Sequence, residues 1–194
     1  MSGQLPFVGL FAAAYVAGSV NFSILAFKLS GREDPRQYGS GNPGATNVYR
    51  KAGLAWAAGV LLLDMVRAMA VALAAKALLP MWQVPWVGLG LIMGNHWPLF
   101  HGFRGGKGVA NYLGFTIVVA PAWAGIGALA WGAAHLVWRT PFISSFAMVL
   151  CLAAGSALVQ EAGFRGGLGA LATALFIVAC HHANIRGRWG GGQG

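Results

Sequence analysis

Apolar residues run in long, nearly unbroken stretches along this chain, and its polar residues gather into a few short segments between them. The first stretch runs from about Leu5 to Phe27 and ends at Lys28, where a polar segment continues through Lys51. A second covers about Ala52 to Leu79, closed by Pro80, and a third runs from about Pro85 to Phe100. Beyond Arg104–Lys107, a shorter stretch from about Val109 to Ala120 stops at Pro121, whose ring removes a donor and clashes with the preceding turn. Stretches from about Ala122 to Trp138, Pro141 to Gln160 and Gly166 to Cys180 complete the set. Apolar runs near 20 residues span a bilayer as helices. The pattern predicts an all-α integral membrane protein with about seven transmembrane helices in a single domain over residues 1–194. The fourth stretch is short enough to be a re-entrant segment instead.

Composition sharpens this picture. Hydrophobic residues make up 57% of the 194 and charged residues only 9%, where a soluble domain carries about 25%. That excludes disorder as well as an ordinary soluble fold. The 30 glycines and 8 tryptophans suit helices packed closely in lipid with aromatic side chains at the interfaces. A net charge of +9 would suggest nucleic acid in a soluble protein; here the positive-inside rule accounts for it, and no nucleic-acid partner is expected. Segments 28–51, 101–107, 139–140 and 181–194 hold ten of the 13 basic residues: Lys28, Arg32, Arg36, Arg50, Lys51, Arg104, Lys107, Arg139, Arg186 and Arg188. Opposite them stand Lys76 and Arg165, with Arg67 inside the second span. The asymmetry puts these segments and the C-terminus in the cytoplasm, with the N-terminus across the membrane. Every glycine-rich polar stretch then faces one side. Cys151 and Cys180 read as small core residues, and no cleavable signal is evident at the N-terminus.

Three segments carry candidate chemistry. Gly39-Ser-Gly-Asn-Pro-Gly-Ala-Thr-Asn47, followed by Arg50, contains G-x-G-x-x-G, but no strand precedes it, so the dinucleotide reading fails. Its glycines still allow backbone N–H groups to converge on an anion, Thr46 and Asn47 can open a helix, and Arg50 can clamp a phosphate. A solvated interhelical turn would use the same glycines. Phe103-Arg-Gly-Gly-Lys-Gly108 resembles a P-loop only superficially, because Gly108 replaces the Ser or Thr that ATP binding needs. With Lys107 it makes a second phosphate candidate, against the plainer reading of a basic membrane flank. His181-His-Ala-Asn184 can orient a hydroxyl or titrate, or simply cap a helix. Asp64 and Arg67, three apart, share a helix face, either as a structural ion pair or as part of a site. Asn95 and His96 fall close to the second glycine loop, while His135 reads as packing.

Together these segments resemble the three motifs of the bacterial acyl-phosphate:glycerol-3-phosphate acyltransferase family. The resemblance covers Gly18-Ser19, Gly39 to Arg50, Asp64, Trp97-Pro98, Phe100, Gly105-Gly-Lys-Gly-Val-Ala110, His181 and Asn184-Ile185. It implies a seven-span inner-membrane enzyme, N-terminus periplasmic and C-terminus cytoplasmic, with motif loops 36–50, 94–110 and 181–193 on the cytoplasmic face. The implied reaction passes the acyl group of an acyl phosphate to the 1-hydroxyl of sn-glycerol 3-phosphate, giving lysophosphatidic acid and phosphate in the first step of phospholipid synthesis. By resemblance, Gly41, Asn42, Gly44, Ala45, Thr46 and Asn47 hold the donor phosphate, with Gly105, Gly106 and Gly108 as further phosphate-loop positions. Ser40, Arg50 and Lys107 bind glycerol phosphate, and His181 and Asn184 orient it, with His181 as base left open. No protein general base, metal or cofactor is implied. Candidate protein partners are the enzyme that makes acyl phosphate and the next acyltransferase.

The sequence departs from the family pattern at several places. Gly94-Asn95 stands where Gly-His is usual, with His96 one place late, and Asn111 replaces a Thr. Ala183, Gly187-Arg188 and Gln193 stand where the third motif has an acid, Arg-Leu and Glu. The competing readings are a small anion channel or transporter and an inactive family member acting as a membrane partner.

Overall fold

A computed structural model describes residues 4–189, and among these the regular secondary structure is entirely helical. The α-helices are α1 (Gln4–Gly18), α2 (Phe22–Leu29), α3 (Ala45–Ala52), α4 (Leu54–Leu78), α5 (Val84–His96), α6 (Val109–Val119), α7 (Pro121–Trp138), α8 (Pro141–Leu158), α9 (Gly163–Ala179) and α10 (His182–Trp189). Proline opens α7 and α8 at the first helical position, where its missing N–H costs nothing. Three helical stretches are long and apolar enough to cross a membrane: Gln4–Leu29, Leu54–Leu78 and Pro141–Leu158. Many large apolar side chains point outward, among them Leu5, Leu129, Leu136 and Phe164, as they do when lipid is the solvent.

The first apolar stretch is not one continuous helix. It breaks over Ser19–Asn21, where Asn21 caps α2 by accepting from the Ile24 N–H at 3.0 Å and Ser19 donates back to the Tyr15 carbonyl at 2.9 Å. Asparagine at a helix start competes with a continuing turn. A break at membrane depth frees carbonyls that must be satisfied internally. Those of Gly18 and Val20 accept from Arg67 of α4. The fourth stretch is helical, but α6 at 11 residues is about 16 Å long, half the apolar thickness of a bilayer.

Glycine sets the closest helix contacts. α1 packs against α5, and a Cβ at Gly18 would lie 2.1 Å from the Leu91 carbonyl oxygen, one at Gly94 2.0 Å from that of Tyr15. Backbone, not a flexible side chain, occupies that space. Gly94→Ala is therefore expected to destabilise by ~1–3 kcal/mol or more, read as a lower midpoint of thermal unfolding in detergent. α4 packs on α6, α7 on α8, and α9 lies against both α5 and α8. α3 packs on α4. Cys151 and Cys180 are free thiols, and His135 stacks on Trp131 at 4.9 Å, a packing role as expected.

Candidate active site

The first glycine loop feeds α3, with Gly44 as its N-cap. Gly39 and Gly41 have φ of +52° and +66°, a left-handed conformation that glycine adopts without strain. Asn47, buried in the first turn of α3, organises the loop. Its Nδ2 donates to the carbonyls of Pro35 at 2.9 Å and Tyr38 at 3.1 Å, and its Oδ1 accepts from the Ser40 N–H at 3.2 Å. The N–H groups of Gly41, Gly44 and Asn47 are spent on turn bonds to Tyr38, Asn42 and Gly44. Among the described residues, those of Asn42, Ala45 and Thr46 have no acceptor, and the last two stand at the positive end of α3. Ser40, Thr46 and Arg50 are exposed beside them.

The second loop is clamped to the end of α5. The N–H of Gly105 donates to the His96 carbonyl at 3.0 Å and that of Gly106 to the Asn95 carbonyl at 2.9 Å. His96 Nδ1 donates to the Gly106 carbonyl at 2.9 Å; because that partner only accepts, Nδ1 holds the proton. A Cβ at Gly105 would meet the Asn95 carbonyl oxygen at 2.0 Å. The N–H groups of Lys107 and Gly108 remain without an acceptor among the described residues. Arg36 ties the two loops together, donating from Nη1 to the carbonyls of His101 at 2.7 Å and Arg104 at 3.0 Å. Asp34 holds the guanidinium from its other side at 2.6 Å.

Lys107 Nζ donates to Asn184 Oδ1, joining the second loop to α10. Burial holds the Lys107 ammonium below the usual lysine range; a smaller pull from Cys180 opposes this, and the charge of Arg50 adds to it. His181 is 3% exposed, and its Nδ1 donates to the Ile177 carbonyl at 2.8 Å, leaving Nε2 as an acceptor. Burial pushes its pKa down to about 4, with a lesser push from the charges of Lys107 and His96. Arg50, Lys107, His181 and Asn184 are thus near neighbours. No carboxylate joins them. Of the four acids, Glu33 accepts from the Tyr38 hydroxyl at 3.0 Å, while Asp34 and Asp64 hold arginines. Glu161 precedes α9, a helix length away from His181.

His181 carries a pH signature. The unfolded chain binds this proton near pH 6.5 and the folded protein only near pH 4, so stability is full above the first value and falls as pH drops towards the second. Thermal unfolding of His181→Gln is expected to show a flatter decline across that window than the wild type.

Beneath the loops lies a polar cluster. Arg67 pairs with Asp64 at 2.8 Å, as their spacing predicts, and also donates to Asn111 Oδ1 at 2.6 Å and Asn95 Oδ1 at 3.4 Å. Sequence reasoning placed Asn95 near the loop but missed that both asparagines meet Arg67. Ala183 is exposed on α10, while Gln193 lies outside the described residues.

Fold and site together define a helical membrane protein in which two cations and a neutral imidazole gather among glycine loops at one end of the bundle. The chain belongs to the glycerol-3-phosphate acyltransferase family, whose profile matches residues 8–191. It is 37% identical over 182 residues to a glycerol-3-phosphate acyltransferase of Neisseria gonorrhoeae (strain NCCP11945), covering 90% of this chain and 89% of the relative. A relative from Laribacter hongkongensis is 43% identical over 187 residues, covering 89% and 87%. The fold matches the crystal structure of PlsY (YgiH), an integral membrane glycerol 3-phosphate acyltransferase, in its glycerol 3-phosphate form, with a TM-score of 0.87 at 32% identity over 95% of this chain and 92% of that one. The lysophosphatidic acid form of PlsY matches at 0.85 and 30% identity, with the same coverage. The resemblance read from the motifs is thereby shown: this is a multi-pass membrane acyltransferase of phospholipid synthesis.

Proposed function

We propose that the chain transfers the acyl group of an acyl phosphate to the 1-hydroxyl of sn-glycerol 3-phosphate, with no protein general base. The observation that carries this reading is a cluster of Arg50, Lys107 and a neutral His181 with no carboxylate among them. Two phosphate-bearing substrates suit two glycine loops. The free N–H groups of Asn42, Ala45 and Thr46 hold the donor phosphate at the start of α3. The Asn47 side chain acts from inside the loop, keeping those N–H groups in place. Ser40, Arg50 and Lys107 take the glycerol phosphate. His181 Nε2 accepts from a glycerol hydroxyl, and the Asn184 amide, with its oxygen on Lys107, keeps its N–H groups for the substrate. The 1-hydroxyl oxygen attacks the acyl carbonyl, the bond to the phosphate oxygen breaks, and the departing phosphate takes the hydroxyl proton. A mixed anhydride is already activated, so positioning and charge neutralisation supply the acceleration.

In this reading the chain crosses the bacterial inner membrane about seven times, N-terminus periplasmic, with the site and C-terminus facing the cytoplasm. The positive charge of the motif segments supports that orientation. Purified protein in lipid, given palmitoyl phosphate, should release phosphate only when glycerol 3-phosphate is present, with lysophosphatidic acid as co-product. Equal turnover with palmitoyl coenzyme A would overturn the donor assignment. No turnover in folded protein would mark an inactive member.

A further inference from the structure

A concavity of about 880 Å³ opens away from the acyl-transfer cluster, lined by none of Ser40, Arg50, Lys107, His181 or Asn184. Three separate pieces of chain build it: the end of α2, the 31–37 segment and the turn over 100–104. They bring Lys28, Arg32, Arg36 and Arg104 around one space, with Asp34 as the sole acid. That acid is already spent, since both its oxygens lie 3.0 Å from Arg36 Nε and one lies 2.6 Å from Nη2. Arg36 in turn gives Nη1 to backbone carbonyls, so it acts as a wall of the site. Among the described residues, Lys28, Arg32 and Arg104 have no carboxylate partner. Arg32 is steadied by the Trp56 ring, 4.8 Å from its guanidinium carbon. His101 Nε2 accepts from the Asn21 N–H at 3.3 Å, which leaves an Nδ1–H donor on a neutral ring.

Inside-positive topology explains why basic residues collect on this side of the protein. It does not explain why residues from three segments converge on one space, where like charges repel unless an anion lies between them. The rim adds a direction. Phe100 lines the concavity and is 60% exposed, an apolar wall beside the cations. We propose that this concavity is a second anion site, separate from acyl transfer, which holds the phosphate of an anionic phospholipid headgroup or of a free phosphate at the membrane rim through Lys28, Arg32 and Arg104. Arginine and lysine together give the bidentate and point-charge contacts a phosphate takes.

The test uses the full chain in phosphatidylcholine nanodiscs, with phosphatidic acid added to the bilayer in one arm and inorganic phosphate to the buffer in the other. Native mass spectrometry counts the retained phosphatidic acid, and phosphorus NMR line broadening reads phosphate binding in a Lys107→Ala background. Lys28→Gln/Arg32→Gln/Arg104→Gln is expected to weaken phosphatidic acid binding about tenfold or more, while Arg139→Gln/Arg186→Gln, equal in kind and elsewhere on the basic segments, binds like wild type. If the first variant loses inorganic phosphate binding and phosphatidic acid gives no advantage, the site belongs to the free anion. Equal loss in both variants, or no loss in the first, overturns the proposal. Acylation by the first variant in plain phosphatidylcholine should stay near wild type, which shows an intact fold and separates this proposal from the reading of the acyl-transfer site.

Discussion

Lys107→Ala is expected to lower kcat/KM for glycerol 3-phosphate by about two to three orders of magnitude, or ~2.7–4 kcal/mol of transition-state stabilisation, with the fold retained. The side chain is half-buried, its ammonium donates to Asn184 Oδ1, and its backbone sits in a loop clamped by the end of α5. Truncation removes a cation without disturbing the clamp, and the partially exposed Asn184 recovers a partner from water. Steady-state phosphate release against glycerol 3-phosphate concentration checks this. A rise in KM alone would mean that Lys107 binds the phosphate equally in ground and transition states; a fall in kcat would mean that it meets charge developing on the leaving phosphate. The wild-type alkaline limb should lie lower than that of an ordinary lysine, because burial already disfavours the charged form. Lys107→Arg should move the limb upward while restoring only part of the rate, since a planar fork does not match a point charge. Near-wild-type activity in Lys107→Ala would remove the second phosphate site.

Much of the bundle was legible because its signals are cumulative. Apolar runs ending at Pro80 and Pro121 mark the ends of α4 and α6 to within about two residues, and Gly53 separates α3 from α4. The break after Gly18 was not legible, because hydropathy averages over it. Only the Asn21 cap betrays it, and the freed Val20 carbonyl finds its donor in Arg67, 47 positions further on. In the candidate site, residue types pointed to phosphate chemistry, but which N–H groups remain free depends on turn bonds that spacing cannot show. Asn47 illustrates this. The resemblance implied a phosphate ligand there, whereas its buried amide is occupied by Pro35, Tyr38 and Ser40.

Arg67→Ala should have the largest effect on stability, about 3–5 kcal/mol, because it strands a buried carboxylate and several oxygens at once. One guanidinium serves Asp64, the carbonyls of Gly18 and Val20 at the helix break, and the amide oxygens of Asn95 and Asn111. Without it, α1 loses the donor that satisfies its open end, and Asn95, whose carbonyl holds Gly106, loses its side-chain anchor. Thermal unfolding in one detergent should therefore show a markedly lower midpoint, and activity measured below that midpoint should fall as Lys107 is displaced. Asp64→Asn should cost less, because the guanidinium keeps four neutral oxygens around its charge. Arg67→Lys should fall between, as a single ammonium cannot span them. A midpoint in Arg67→Ala close to wild type would sink this account of the cluster. The same geometry couples Asn95 to Asn111. They are 16 positions apart in the chain, yet both present an amide oxygen to Arg67, so each is fitted to the other through the cation between them. Asn111→Thr alone then withdraws the 2.6 Å acceptor and leaves one of the cation's closest contacts unfilled. It should destabilise this chain, read as a lower midpoint of thermal unfolding.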